Sequence, residues 1–146
     1  MANTKEIIQI GQTEVRFLLE GSDTNEALAM FEFTVPAGGK VPLPHHHEHY
    51  DETVFGLEGT ITFTVDGIDH DISVGESCFI KRGQVHGFKN LKLNDGKCLA
   101  IVTPAKIGPS FFKDCAAIIN AAAADAMDRM KEVFKQYGIV PALPKN

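Results

Sequence analysis

At 146 residues, with 44% hydrophobic and 23% charged side chains, the chain is long enough for one domain with a real core and has the composition of a globular protein. A net charge of −5 with no run of like charges excludes the basic face that nucleic-acid phosphates require. No apolar run approaches the roughly 20 residues needed to cross a bilayer, so no membrane span is expected.

The N-terminal stretch lacks a charged leader followed by an apolar segment, so a reducing cytoplasm is the expected compartment. Cys78, Cys98 and Cys115 form an odd, scattered set with no CxxC pair. They read as small buried hydrophobes.

A first strand is expected over 14–20, followed by a turn at 21–25. Phe31, Phe33 and Val35 alternate with Glu32 and Thr34, the period-2 pattern of a half-buried strand. That pattern puts Phe31 and Phe33 on one face without saying which. After a turn-rich stretch at 36–44 comes a histidine-rich segment, taken up below. Ile61, Phe63 and Val65 alternate with threonines, and Asp66-Gly67 is a tight-turn signal that lets 68–74 return as the partner strand. Short apolar strands are expected at 78–80 and 99–102, with turns at 81–83 and 94–97. Many short strands separated by turns indicate an all-β sandwich or barrel.

The remainder changes period. Phe111, Phe112, Cys115, Ala116, Ile119 and Ala122 recur at helical spacing, and Met127, Met130, Phe134 and Tyr137 form a second stripe. Asp125 and Asp128 near its start, and Lys131 and Lys135 further along, suit the helix dipole. Gly138 stands where a C-terminal glycine would end the helix. The chain is therefore expected to divide into a barrel over 1–106 and a helical extension over 107–146 that packs on the barrel or on a partner.

The segment His45-His46-His47-Glu48-His49-Tyr50-Asp51-Glu52 carries the chemistry. Side chains alternate faces in extended chain, so His45 and His47 point one way and His46 the other. Two imidazoles on one face can chelate a single ion, and a nearby carboxylate can add a hard oxygen ligand. A solvated histidine-rich loop is the competing reading of this segment alone.

The wider spacing resembles the cupin family. Its first motif runs Gly, five residues, His-x-His, three or four residues, Glu, six residues, Gly; here Gly39, His45, His47, Glu52 and Gly59 stand at those positions. The second runs Gly, five residues, Pro-x-Gly, two residues, His, three residues, Asn; here Gly75, Gly83, His86 and Asn90 match, and Lys81 replaces the proline. The resemblance implies a double-stranded β-helix, or jelly-roll, barrel with His45, His47, Glu52 and His86 converging on one divalent transition metal. Iron, manganese, nickel, zinc, cobalt and copper all suit such a donor set. Gly59, Gly75 and Gly83 fit tight turns.

By parity, Val54 shares the face of Glu52, and Phe88 shares the face of His86. Both are expected to line a pocket, with His49 at its mouth touching substrate. His46, His70 and Tyr50 are expected at the surface. Small single-barrel chains with a helical tail resemble quercetin-dioxygenase-like cupins. That implies a metal-dependent dioxygenase acting on a small oxygenated or aromatic molecule, with Glu52 as general base. A metal-dependent isomerase, lyase or cyclase, and a non-enzymatic binding module, are the alternatives. Barrels of this family often pair, so a homodimer is expected.

Overall fold

The structure, a computed structural model, describes residues 6–41 and 43–142. The outermost residues of the two expected units, 1–5 and 143–146, and Pro42 lie outside the described residues. In chain order the strands are β1 (Ile7–Ile10), β2 (Thr13–Leu19), β3 (Ala29–Val35), β4 (His45–His47), β5 (Asp51–Glu58), β6 (Thr60–Val65), β7 (Ile68–Ser73), β8 (Ser77–Ile80), β9 (His86–Lys89) and β10 (Gly96–Thr103). Helices α1 (Pro109–Ala121) and α2 (Ala126–Gln136) follow, and β11 (Ile139–Pro141) ends the described chain. Two antiparallel sheets face one another, one ordered β1-β2-β3-β10-β5-β8 and the other β11-β4-β9-β6-β7. This is the jelly roll with C-terminal helices that the motif spacing implied.

Alternation builds the interior. In β3, Ala29, Phe31, Phe33 and Val35 point inward, so the face left open by the sequence is the core face. Their partners on β10 are small: Cys98 lies opposite Phe33, and Ala100 opposite Phe31. Large rings on one strand and short side chains on the next leave the inner volume to the aromatics. Phe33 meets Phe63 of the facing sheet edge-on, with ring centroids 6.1 Å apart. Each such buried ring contributes about 1.5–3 kcal/mol of burial.

The turns follow their residues. Asp66 and Gly67 adopt φ values of +48° and +82° between β6 and β7, the left-handed pair that a two-residue hairpin needs. At Gly56 the requirement is space: a Cβ there would lie 2.0 Å from the Ser73 carbonyl oxygen, so β5 and β7 could not approach. Asn90, the last residue of the second motif, is buried. Its side-chain amide donates to the carbonyls of Val35 (2.9 Å) and Asn94 (2.8 Å), and its oxygen accepts from the Lys92 N–H (2.9 Å). It thereby ties the end of β3 to the loop at 92–94.

The tail departs from expectation. The helices form as the periodicity indicates, burying Phe111, Cys115 and Ile118 from α1 and Met130 and Phe134 from α2. Gly138, at φ +69°, ends the second. The chain then turns back as β11 and pairs with β4, Ile139 opposite His47 and Pro141 opposite His45. A three-residue strand carries too little pattern to read from sequence. The extension is therefore not wholly helical, because its end completes the smaller sheet.

Candidate metal centre and cavity

Three elements bring the site together. Strand β4 presents His45 and His47 on one face, as parity requires. On its inner side it pairs with β9, with His45 directly opposite His86. On its outer side it pairs with β11. Glu52 comes across the barrel from β5, in the other sheet. The turn before β9 is pinned to the first motif. The Gly83 N–H donates to the His47 carbonyl at 2.8 Å, and Arg82 grips Asp51 through two side-chain nitrogens at 3.1 Å each. Lys81, the one departure from the motif, donates its N–H to the Gln84 side chain at 2.9 Å. A proline there has no N–H to give.

One ring nitrogen from each of His45, His47 and His86 lies within 4.8 Å of the others. His45 Nδ1 sits 2.7 Å from the Leu43 carbonyl, and His86 Nδ1 sits 2.9 Å from the Gln84 carbonyl. A carbonyl oxygen can only accept, so both Nδ1 atoms carry the proton and each Nε2 turns inward. His45 Nε2 and His47 Nε2 are 3.1 Å apart. With metal–nitrogen bonds of about 2.0–2.1 Å, two neighbouring ligands of one ion have nitrogens about 3 Å apart. Glu52 Oε2 lies 3.5 Å from His86 Nε2 and 3.9 Å from His47 Nδ1. The three imidazoles, with two tautomers set by backbone, form a group that could hold a divalent transition ion, and the Glu52 carboxylate stands beside them.

The electrostatics agree. Burial, reinforced by the neighbouring histidines, lowers the His45 imidazole to about 3 and moves His47 the same way. Both are neutral, as ligands must be. Burial also acts to lower His86, but the Glu52 carboxylate and the Gln84 carbonyl outweigh it and raise the group overall. Without an ion, His86, beside Glu52, is thus the ring of the three that holds a proton most readily.

The cluster opens on a cavity of about 130 Å³, with walls formed by Phe33, Phe63, Phe88, Phe112, Met130 and Phe134 among others. The expected pocket residues fare differently. Phe88 lines the cavity. Val54 is fully buried on the face of Glu52 but belongs to the core rather than the cavity wall. His49 is a correction: its side chain is 63% exposed, lies 3.6 Å from Glu48, and is absent from the wall. Tyr50 is the reverse correction. Expected at the surface, it is fully buried, lines the cavity and stacks on His47 with centroids 4.1 Å apart. Both errors share a cause. Residues 48–50 leave the strand and bend, so parity counted from β4 does not carry through them. Phe111, Phe112, Met130, Phe134 and Ile139 were also missed, because helical periodicity shows that they are buried but not against what.

A jelly roll with a His-x-His strand, a third histidine and a carboxylate inside defines a class of metal-capable β-barrels. The cupin domain model matches residues 31–102, and the oxalate-binding protein of Thermotoga maritima is 30% identical over 93 residues, spanning 63% of this chain and 76% of that protein. The chain belongs to the cupin family. Quercetin 2,3-dioxygenase of Bacillus subtilis (strain 168) is 28% identical over 76 residues, 52% of this chain, but the match spans only 22% of that longer protein. Among solved structures, a predicted oxalate decarboxylase from Thermotoga maritima superimposes with a TM-score of 0.61 at 29% identity, covering 69% of this chain and 92% of that one.

Proposed function

We propose that the protein is a metal-dependent cupin oxidoreductase of the dioxygenase-like kind, acting on a small oxygenated or aromatic molecule, with His45, His47, Glu52 and His86 as ligands. The observation that carries this is the placement of three imidazoles and one carboxylate at the wall of an otherwise apolar cavity. When bound, the ion would supply Lewis-acid and redox chemistry to an oxygen of the substrate. The protein residues do the rest. Phe33, Phe63 and Phe88 hold an apolar body and exclude water. Glu52, within 3.5 Å of His86, can take a substrate proton. The cavity sets the size: about 130 Å³ suits one ring, since about 150 Å³ holds benzene.

The test is oxygen uptake by iron- or manganese-loaded protein with single-ring catechols and small diketones. Uptake that disappears in Glu52→Gln supports the reading; no uptake with either metal and any of these compounds sinks it. The likeness to an oxalate-binding protein favours a second reading, a cupin that holds a ligand without turning it over. Saturable binding without product would mark it. Complete turnover in the absence of oxygen would instead mark a Lewis-acid isomerase, lyase or cyclase.

The same reading puts the chain in the reducing cytoplasm, in keeping with three unpaired cysteines. No helix of the described residues is long and apolar enough to cross a membrane. It also has the chain pair with a second copy through the outer face of the larger sheet. There Phe55 of β5 and Phe79 of β8 lie diagonally across a strand pair, 39% and 60% exposed. Sedimentation of a 15.9 kDa monomer alone at working concentration would reject pairing.

A further inference from the structure

Tyr50 holds the one buried side-chain polar atom among the described residues that has no hydrogen-bond partner. Its side chain is fully buried, its ring is stacked on His47, and the residue forms part of the cavity wall beside Glu52. Leaving a buried hydroxyl unmade costs on the order of 1–3 kcal/mol, and a phenylalanine would fill the same space without that penalty. A hydroxyl kept in such a place, next to a cavity and one ring away from the metal-capable cluster, is explained if a ligand supplies its partner.

The rest of the wall narrows what that ligand is. Seven phenylalanines, three isoleucines and a methionine lie among its apolar residues, and its only lysine, Lys40, is exposed. Outside the His45–His47–His86–Glu52 cluster, a free dianion would meet an apolar wall with no buried lysine or arginine to pair with. A neutral molecule with an apolar body would not face that penalty.

We propose that Tyr50 is a ligand-binding residue whose hydroxyl donates to the second oxygen of a small, neutral molecule carrying two adjacent oxygens on an apolar body, as in a catechol or an α-hydroxy ketone. The first oxygen belongs at the His45–His47–His86–Glu52 cluster, so the assignment rests on the metal-dependent reading above. It adds a selection rule: compounds with one oxygen lose the Tyr50 contact, and small dicarboxylates are disfavoured by the apolar wall.

The test uses zinc-loaded protein, which is diamagnetic, with catechol, phenol and oxalate as probes. The chain has two tyrosines, and Tyr137 donates to Asp114 at 2.9 Å, so 3-fluorotyrosine labelling gives one reporter and one internal reference. Catechol should shift the Tyr50 fluorine resonance and leave that of Tyr137 in place. By calorimetry, Tyr50→Phe should weaken catechol by about three- to tenfold, the loss of one hydrogen bond, and change phenol by less than about twofold. Oxalate should bind the wild type more weakly than catechol. A Tyr50 resonance that catechol does not move, an equal loss for phenol and catechol, or a preference for oxalate would overturn the assignment. Zinc content is measured separately. If the wild type takes up none, the metal reading fails, and catechol is titrated into the metal-free protein. A Tyr50 shift there keeps the contact, and its absence removes it.

Discussion

Phe134 is where the tail meets the metal-capable strand, and replacing it by alanine tests that junction. The ring is buried, lies edge-on to His45 with centroids 5.2 Å apart, and packs against Phe111 at 5.8 Å. Removing a fully buried phenylalanine typically costs about 3–5 kcal/mol, part of it for the hole left behind. Here the hole would open into a cavity of about 130 Å³ that already exists, so no new sealed void forms. The expected loss is therefore at the lower end, about 3 kcal/mol, or a fall in melting temperature on the order of 10 °C for a domain of this size. The assay is urea unfolding of metal-free wild type and Phe134→Ala in EDTA at pH 7, read by circular dichroism. A loss below about 1 kcal/mol, the range of surface substitutions, would mean that α2 does not seat on the cavity as described.

Two further outcomes follow from the buried titratable groups. His45 and His47 are held below the ordinary histidine value of 6.5, so the unfolded chain binds protons that the folded chain refuses. Their contribution to stability is present above about pH 6.5 and is lost as pH falls toward the folded value, at up to about 1.4 kcal/mol per pH unit for each histidine. His86, raised instead, contributes in the opposite sense: its stability is fully present well below pH 6.5 and is lost as pH rises through its folded value. Metal-free protein should thus weaken between pH 6.5 and 5, before carboxylates titrate, and a flat profile in EDTA would contradict the neutral cluster. Cys98 and Cys115 are pushed up by burial to about 12, while the half-buried Cys78 is raised less. Folded protein at pH 8 should therefore alkylate first at Cys78, and all three should react in urea; equal native rates by mass spectrometry would refute the packing. Because these two thiols stay protonated in the folded state, they also remove stability as pH rises from 9 toward 12.

Much of the site was legible because cupin motifs space their donors by strand geometry. His45 and His47 share a face by the two-residue period, and the distances from Gly39 to Gly59 and from Gly75 to Asn90 match turns that the structure forms. The hairpin at Asp66-Gly67 was legible for the same local reason. What failed was everything that depends on a bend or on a long-range partner. His49 and Tyr50 exchanged places relative to parity because residues 48–50 are not strand. Strand β11 is three residues long and exists because β4 needs an edge partner, a fact that no window of sequence contains. Strand β1 was likewise unread, since its inner residue Ile8 has a single alternation to show. The apolar character of the cavity depends on which tail residues fold over it, and helical spacing leaves that open.

The three imidazoles and Glu52 are proposed to hold one ion. The measurement that tests it most directly is the metal content of protein purified without a polyhistidine tag, beside a His47→Ala/His86→Ala double variant. About one equivalent of a divalent transition metal in the wild type, absent from the folded variant, is the predicted result. Contradiction would come from a wild type that neither carries metal nor takes it up, or from a variant that retains it.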